Sequence, residues 1–143
     1  MNDVTVTSLV NLQNEVRYGD GSDGHSFITD EPKTVGGDDR GPDPYTLLMG
    51  ALGSCISMTV TMYARHKAWP LERVTVRLRQ QRVHAKDCQE CEMMEGFALR
   101  IERAVTVEGE LSDEQRARLI EIALKCPIHR TLTSEIVITE MQV

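Results

Sequence analysis

The chain has 143 residues, with 16 Lys+Arg against 22 Asp+Glu and a formal net charge of -6. That length suits one domain, 1–143. The acidic balance argues against a sequence-independent nucleic-acid binder, which needs a basic face, and against attachment to an anionic membrane surface. The start, MNDVTVTSLV, lacks the basic and long apolar regions of a secretory signal. The most apolar run, 47–58, is about twelve residues, where a membrane span needs about 20. A cytoplasmic address is expected, and there a cysteine is by default a reduced thiol. The four cysteines are therefore core filler, metal ligands or reactive groups.

The N-terminal part, 1–35, reads as strands. Val4 and Val6 alternate within a strand at 3–10, a second runs over 15–18 into the turn-rich GDGSDG, and a third, 25–29, closes at Asp30-Glu31-Pro32. A breaker-rich loop follows from Gly36 to Pro44. Its Gly36-Gly37 lacks the spacing of a phosphate-binding loop, and its acids Asp38, Asp39 and Asp43 read as a solvated turn and a helix cap. Asp43 before Pro44 starts a helix that is predicted over 44–67. Leu48, Leu52, Cys55, Thr59 and Met62 share one helical spacing, and Leu47, Ala51, Met58 and Met62 another. A helix apolar nearly all round is expected to be buried and central. Gly50 and Gly53 are expected to permit close backbone approach, and Arg65, His66 and Lys67 suit the C-terminal end.

Val74, Val76 and Leu78 alternate with Arg73, Thr75, Arg77 and Arg79, and Phe97, Leu99, Ile101, Val105 and Val107 form a second period-2 series. The simplest topology is a long hairpin, 72–108, with a polar tip. In the C-terminal part, 111–143, Ser112 caps a helix with Gln115 at its third position. A short helix runs from Pro127 to Leu132, and 135–143 alternates (Ile136, Ile138, Met141) as a final strand. Strands, buried helix, hairpin, helix, strand is an α+β order.

Cys55 lies mid-helix and reads, by position, as a small buried hydrophobe. Cys126, before a proline that opens a helix, reads equally as a thiolate at a helix N-terminus or as a thiol plugging a helix corner. His129 lies one turn on, either the base of a Cys/His pair or a surface histidine. Cys88 and Cys91 form CxxC with His84 four residues before. This is half of a metal site, a redox pair or an ordinary loop.

The run Gly41-Pro-Asp-Pro-Tyr-Thr-Leu-Leu-Met-Gly-Ala-Leu-Gly-Ser-Cys55 resembles the signature of the OsmC/Ohr family, and Lys125-Cys126-Pro127-Ile128-His129 resembles its second cysteine motif. The likeness extends over nearly the whole chain, with the motifs in order and about seventy residues apart. The resemblance implies antiparallel sheets packed around a long central helix and an intertwined homodimer with two interface sites. It implies a thiol peroxidase for organic hydroperoxides, recycled by a thiol or dithiol, with no cofactor or metal. By position, Cys55 would be the peroxidatic thiol and Cys126 the resolving one. A thiolate on an apolar helix needs a cation beside it; the family supplies a loop arginine, and Arg40 is nominated. Many members place a glutamate just after the helix-opening proline. Here Tyr45-Thr46 stand there, leaving Asp43 or Asp39 as substitutes. Leu52, Met58 and Met62 are expected to surround the thiol with apolar surface. The alternative from a different class is a metal-binding or redox-sensing module through His84, Cys88 and Cys91. A third is a family member without catalysis.

Overall fold

A computed structural model describes residues 3–92 and 95–142. The chain divides into two compact units, 1–50 and 51–143.

The first unit holds a three-stranded antiparallel sheet, β1 (Val4–Ser8), β2 (Asn14–Tyr18) and β3 (His25–Thr29), in the order β1-β2-β3. Each strand follows its neighbour through a turn, so sequential pairing suffices. Val6 faces Val16 and Val16 faces Phe27 across the ladders. Only Val16 of these is buried. The loop after β3 winds around the Asp30 carboxylate, which accepts the backbone N–H groups of Glu31 (2.8 Å), Arg40 (3.1 Å) and Asp38 (3.2 Å). A Cβ at Gly37 would overlap the Glu31 backbone, so only glycine closes the loop this tightly.

Helix α1 (Pro44–His66) starts in the first unit and continues through the second. Asp43 caps it as expected. One carboxylate oxygen accepts from the N–H groups of Tyr45 and Thr46, and the other accepts from the Thr46 hydroxyl at 2.6 Å. By length and composition α1 could cross a membrane, at a mean hydropathy of 1.5; the sequence had marked out only the shorter run 47–58. Its buried residues are Leu52, Ile56, Val60 and Ala64, a single i, i+4 row. They join Val107, Leu119, Ala123 and Cys126 in one core cluster. The expected all-round burial does not occur. Met58 and Met62 are 63% and 67% exposed, because this chain covers only one side of the helix there.

The hairpin pairs β4 (Leu71–His84) with β5 (Phe97–Gly109) in antiparallel register from Leu71↔Gly109 to His84↔Phe97, with an irregularity between Leu71 and Arg73. Val74, Val76, Leu78, Ile101 and Val105 turn toward the core. Gly53 is the close-approach point: a Cβ there would come within 2.9 Å of the Leu78 Cδ1. At Gly50 the space is open, so close packing does not explain that glycine.

Helix α2 (Asp113–Ala123) carries the expected capping box of Ser112 and Gln115. Arg116 donates to the carbonyls of Val107 and Gly109, both at 2.7 Å, tying α2 to the end of β5. Arg118 Nε donates to the Tyr63 hydroxyl at 3.1 Å, tying α2 to α1. Helix α3 (Pro127–Leu132) has the expected bounds. The strand expected at 135–143 does not form over its described residues, 135–142. Ile136, Val137, Ile138 and Met141 are 56–90% exposed. Alternation alone makes no strand; the backbone needs an edge to pair with.

Candidate active site

The two cysteines of the separated motifs meet in the second unit. Cys126 is fully buried in the core cluster, Cys55 packs against that cluster half-buried, and both are free thiols. The local folding that brings them together is simple. Pro127 at the first position of α3 fixes the chain as it leaves α2. Cys126 thereby becomes the N-cap and turns inward. Cys55 is presented by α1, one turn from Leu52, and its carbonyl accepts the Thr59 hydroxyl at 2.7 Å.

Burial pushes the Cys126 thiol up, and the neighbouring Cys55 side chain pushes in the same direction. The backbone N–H groups of His129 and Ile128 pull the other way but do not prevail. Cys126 makes no side-chain cap bond. The two readings of Cys126 thus merge: it holds a helix N-terminus and also plugs a helix corner. The buried environment decides its protonation, and at neutral pH it is a thiol.

The second unit also holds a cavity of about 210 Å³ lined by Leu52, Leu99, Ile101, Arg103, His129 and Leu132, with Thr133. Its walls are mostly apolar. The apolar lining therefore comes from Leu52 and the hairpin rather than from the exposed Met58 and Met62 anticipated above. His129 is a half-buried wall residue, and among the described residues its ring makes no hydrogen bond to Cys126. Arg103, unnoticed in the sequence, is half-buried in the same wall and donates to the Ala123 carbonyl at 2.9 Å. Its only sequence signal is a break: it occupies a position on β5 where the Phe97–Val107 alternation would put an apolar side chain.

Arg40 lies exposed in the loop of the first unit. Its structural partner there is Asp30, 2% exposed. Burial pushes the Asp30 carboxyl up, yet the N–H groups of Glu31, Arg40 and Asp38 and the Arg40 charge outweigh it and hold the group below the usual carboxylate range. Asp30 is the acid that orders the Arg40 backbone. Asp43 is committed to capping α1, and Asp39 sits at a turn with φ 57°. Neither replaces the glutamate in holding Arg40 among the described contacts. A buried carboxylate directly after a strand was the signal in the sequence, there taken only as the end of β3.

Cys88 and Cys91 form a disulfide, with Cα atoms 5.4 Å apart. While bonded, these sulfurs have no thiolate to offer a metal. The His84 ring packs on Phe97 instead, centroids 4.3 Å apart. Among the described residues no cluster of three or more His, Cys, Asp or Glu could hold an ion.

The family model for OsmC-like proteins matches residues 36–141, and this chain belongs to that family. Three solved structures illustrate the shared fold. One is an organic hydroperoxide resistance protein OsmC of Legionella pneumophila, with a TM-score of 0.65 at 18% identity, covering 93% of this chain and 89% of that one. Another is an OsmC-like protein of Mycoplasma pneumoniae, with 0.67 at 19%, covering 92% and 86%. The third is an organic hydroperoxide resistance protein of Elizabethkingia anophelis, with 0.66 at 21%, covering 93% and 88%. No curated protein sequence matches.

Proposed function

We propose that this protein reduces organic hydroperoxides, with Cys55 as the peroxidatic thiol and Cys126 as the resolving thiol. The observation that carries this reading is the contact of two free thiols presented by separate helices. The names of the Legionella and Elizabethkingia relatives support the substrate class.

The chemistry follows from the site. A Cys55 thiolate attacks the distal oxygen of ROOH, the O–O bond breaks, and ROH leaves after taking a proton. Cys55 is then a sulfenic acid. The Cys126 thiol attacks that sulfur, water leaves and a disulfide forms, which keeps Cys55 from further oxidation. An external thiol or dithiol returns the pair to thiols by two exchange steps. Arg40 is the arginine we nominate for the reaction by its place in the family motif, and Asp30 orders its backbone. The walls built by Leu52, Leu99, Ile101 and Leu132 favour an apolar R group over hydrogen peroxide. The protein works as a homodimer in a reducing compartment.

The test is consumption of cumene hydroperoxide by purified protein with dithiothreitol as reductant. Wild type turns over, and Cys55→Ser falls to the uncatalysed background. Turnover unchanged by Cys55→Ser overturns the proposal.

A further inference from the structure

The hairpin tip is the one chemical feature the proposed reaction leaves unused. After His84 the chain makes a single tight turn at 85–87, and the N–H groups of Cys88 and Cys91 donate to the carbonyls of Ala85 and Cys88. Both sulfurs are half-buried at the edge of a cleft of about 550 Å³. Val83, Leu99 and Ile101 give this cleft apolar walls, and Arg100, paired with Glu90 at 3.3 Å, gives it a cation. Leu99, Ile101 and Thr133 also line the smaller cavity that reaches Leu52 and His129. Leu52 and His129 each stand three residues from a cysteine of the inner pair. Leu99, Ile101 and Thr133 therefore form a wall common to the cleft at the outer sulfurs and the cavity at Leu52 and His129.

Two observations bear on the role of the tip. A disulfide stabilises chiefly by closing a loop in the unfolded chain. This one spans a sequence separation of 3, so it is a poor staple. The bond also lies half-buried at the cleft edge beside the Arg100–Glu90 pair, where an external dithiol can reach it.

We infer that Cys88 and Cys91 form a second redox couple, a thiol–disulfide exchange site that accepts electrons from an external dithiol and passes them to an oxidised Cys55–Cys126 pair. This rests on the disulfide-forming ability proposed for the inner pair and names how that pair is recycled. In the first step a thiolate of the external dithiol attacks the Cys88–Cys91 bond, a mixed disulfide forms, and the dithiol's second thiol displaces it. The dithiol becomes a disulfide and the tip gains two thiols. In the second step a tip thiolate attacks the Cys55–Cys126 bond, and the other tip cysteine closes the tip disulfide. Two electrons and two protons have then moved to the inner pair. Exchange needs contact between sulfurs, and Ile101 lies roughly 13 Å along β5 from Phe97 at about 3.3 Å per residue. The tip accordingly swings along the cleft or is presented by a second copy.

The experiment starts from protein oxidised with diamide, so it does not depend on peroxide chemistry. One equivalent of dithiothreitol is added, aliquots are acid-quenched and alkylated, and peptides are mapped by mass spectrometry. Expected in the wild type is an early rise of Cys88 and Cys91 thiols, then their loss as Cys55 and Cys126 become thiols. In Cys88→Ser, reduction of the inner pair slows by about tenfold or more. Electrons that stay on the outer pair, an inner pair reduced at the same rate in Cys88→Ser, or an inner disulfide that diamide cannot form each overturn the inference. Migration of electrons in a protein that consumes no cumene hydroperoxide would leave the exchange site standing and remove the peroxidase.

Discussion

Cys126 is the more constrained thiol of the pair, because burial keeps it protonated where an ordinary cysteine begins to ionise. Iodoacetamide at pH 8 should therefore modify Cys55 well before Cys126 in the reduced native protein. Equal rates would mean that Cys126 is not held in the core. The linkage has a definite sign. A thiol whose value is raised on folding contributes stability that is present below the unfolded value, about 8.5, and lost as pH rises through the folded one. Asp30 behaves oppositely. Its folded value is depressed, so its contribution is present above the ordinary carboxylate range, about 3.9, and lost as pH falls below it. Asp30→Asn should loosen the Arg40 loop and lower cumene hydroperoxide turnover. Unchanged turnover would confine Asp30 to local stability and take Arg40 out of the reaction. Asp30 was hard to read from the sequence because its role depends on backbone groups up to ten positions away, whereas the Asp43 cap is written in its next three residues.

At the level of elements, local chemistry was the legible part. The start of α2, the bounds of α3, the capping box and the hairpin follow from neighbours within a few residues. Ser112→Ala should cost about 1 kcal/mol in a denaturant titration, as the loss of one cap does. Leu119→Ala should cost roughly 2–5 kcal/mol, since Leu119 is fully buried in the core. A Leu119→Ala cost within experimental error would mean that the α2 packing is wrong. Two readings failed for one reason. The period-2 pattern of 135–143 specifies which side chains share a face but not whether a strand edge exists to receive them. The apolar pattern of α1 likewise does not say which side its own chain covers. The sequence spacing of Cys88 and Cys91 left metal, redox pair and plain loop all open, because ligand geometry and disulfide geometry both tolerate two intervening residues.

For the whole molecule, apolar surface left bare is the main clue to assembly. Met58 and Met62 on α1 and Ile136, Val137, Ile138 and Met141 in the tail are all exposed, and such surface marks an interface. The homodimer implied by family resemblance is the occupant proposed here. Light scattering at micromolar concentration should report a dimer, and Met58→Asp combined with Met62→Asp should give a folded monomer by circular dichroism. A wild-type monomer would contradict the dimer, and a dimeric double variant would place its interface elsewhere.

The central claim is that Cys55 and Cys126 act together on a peroxide. The direct measurement uses fully reduced protein carrying Cys88→Ser and Cys91→Ser, so that only the inner pair is present, mixed with one equivalent of cumene hydroperoxide. The account predicts one alcohol formed and two thiols lost per chain, with Cys55 and Cys126 recovered as a single cross-linked peptide. Four-thiol chemistry is absent in this variant, so no other pair can account for the loss. Peroxide left unconsumed, or thiols lost without that cross-link, would contradict it.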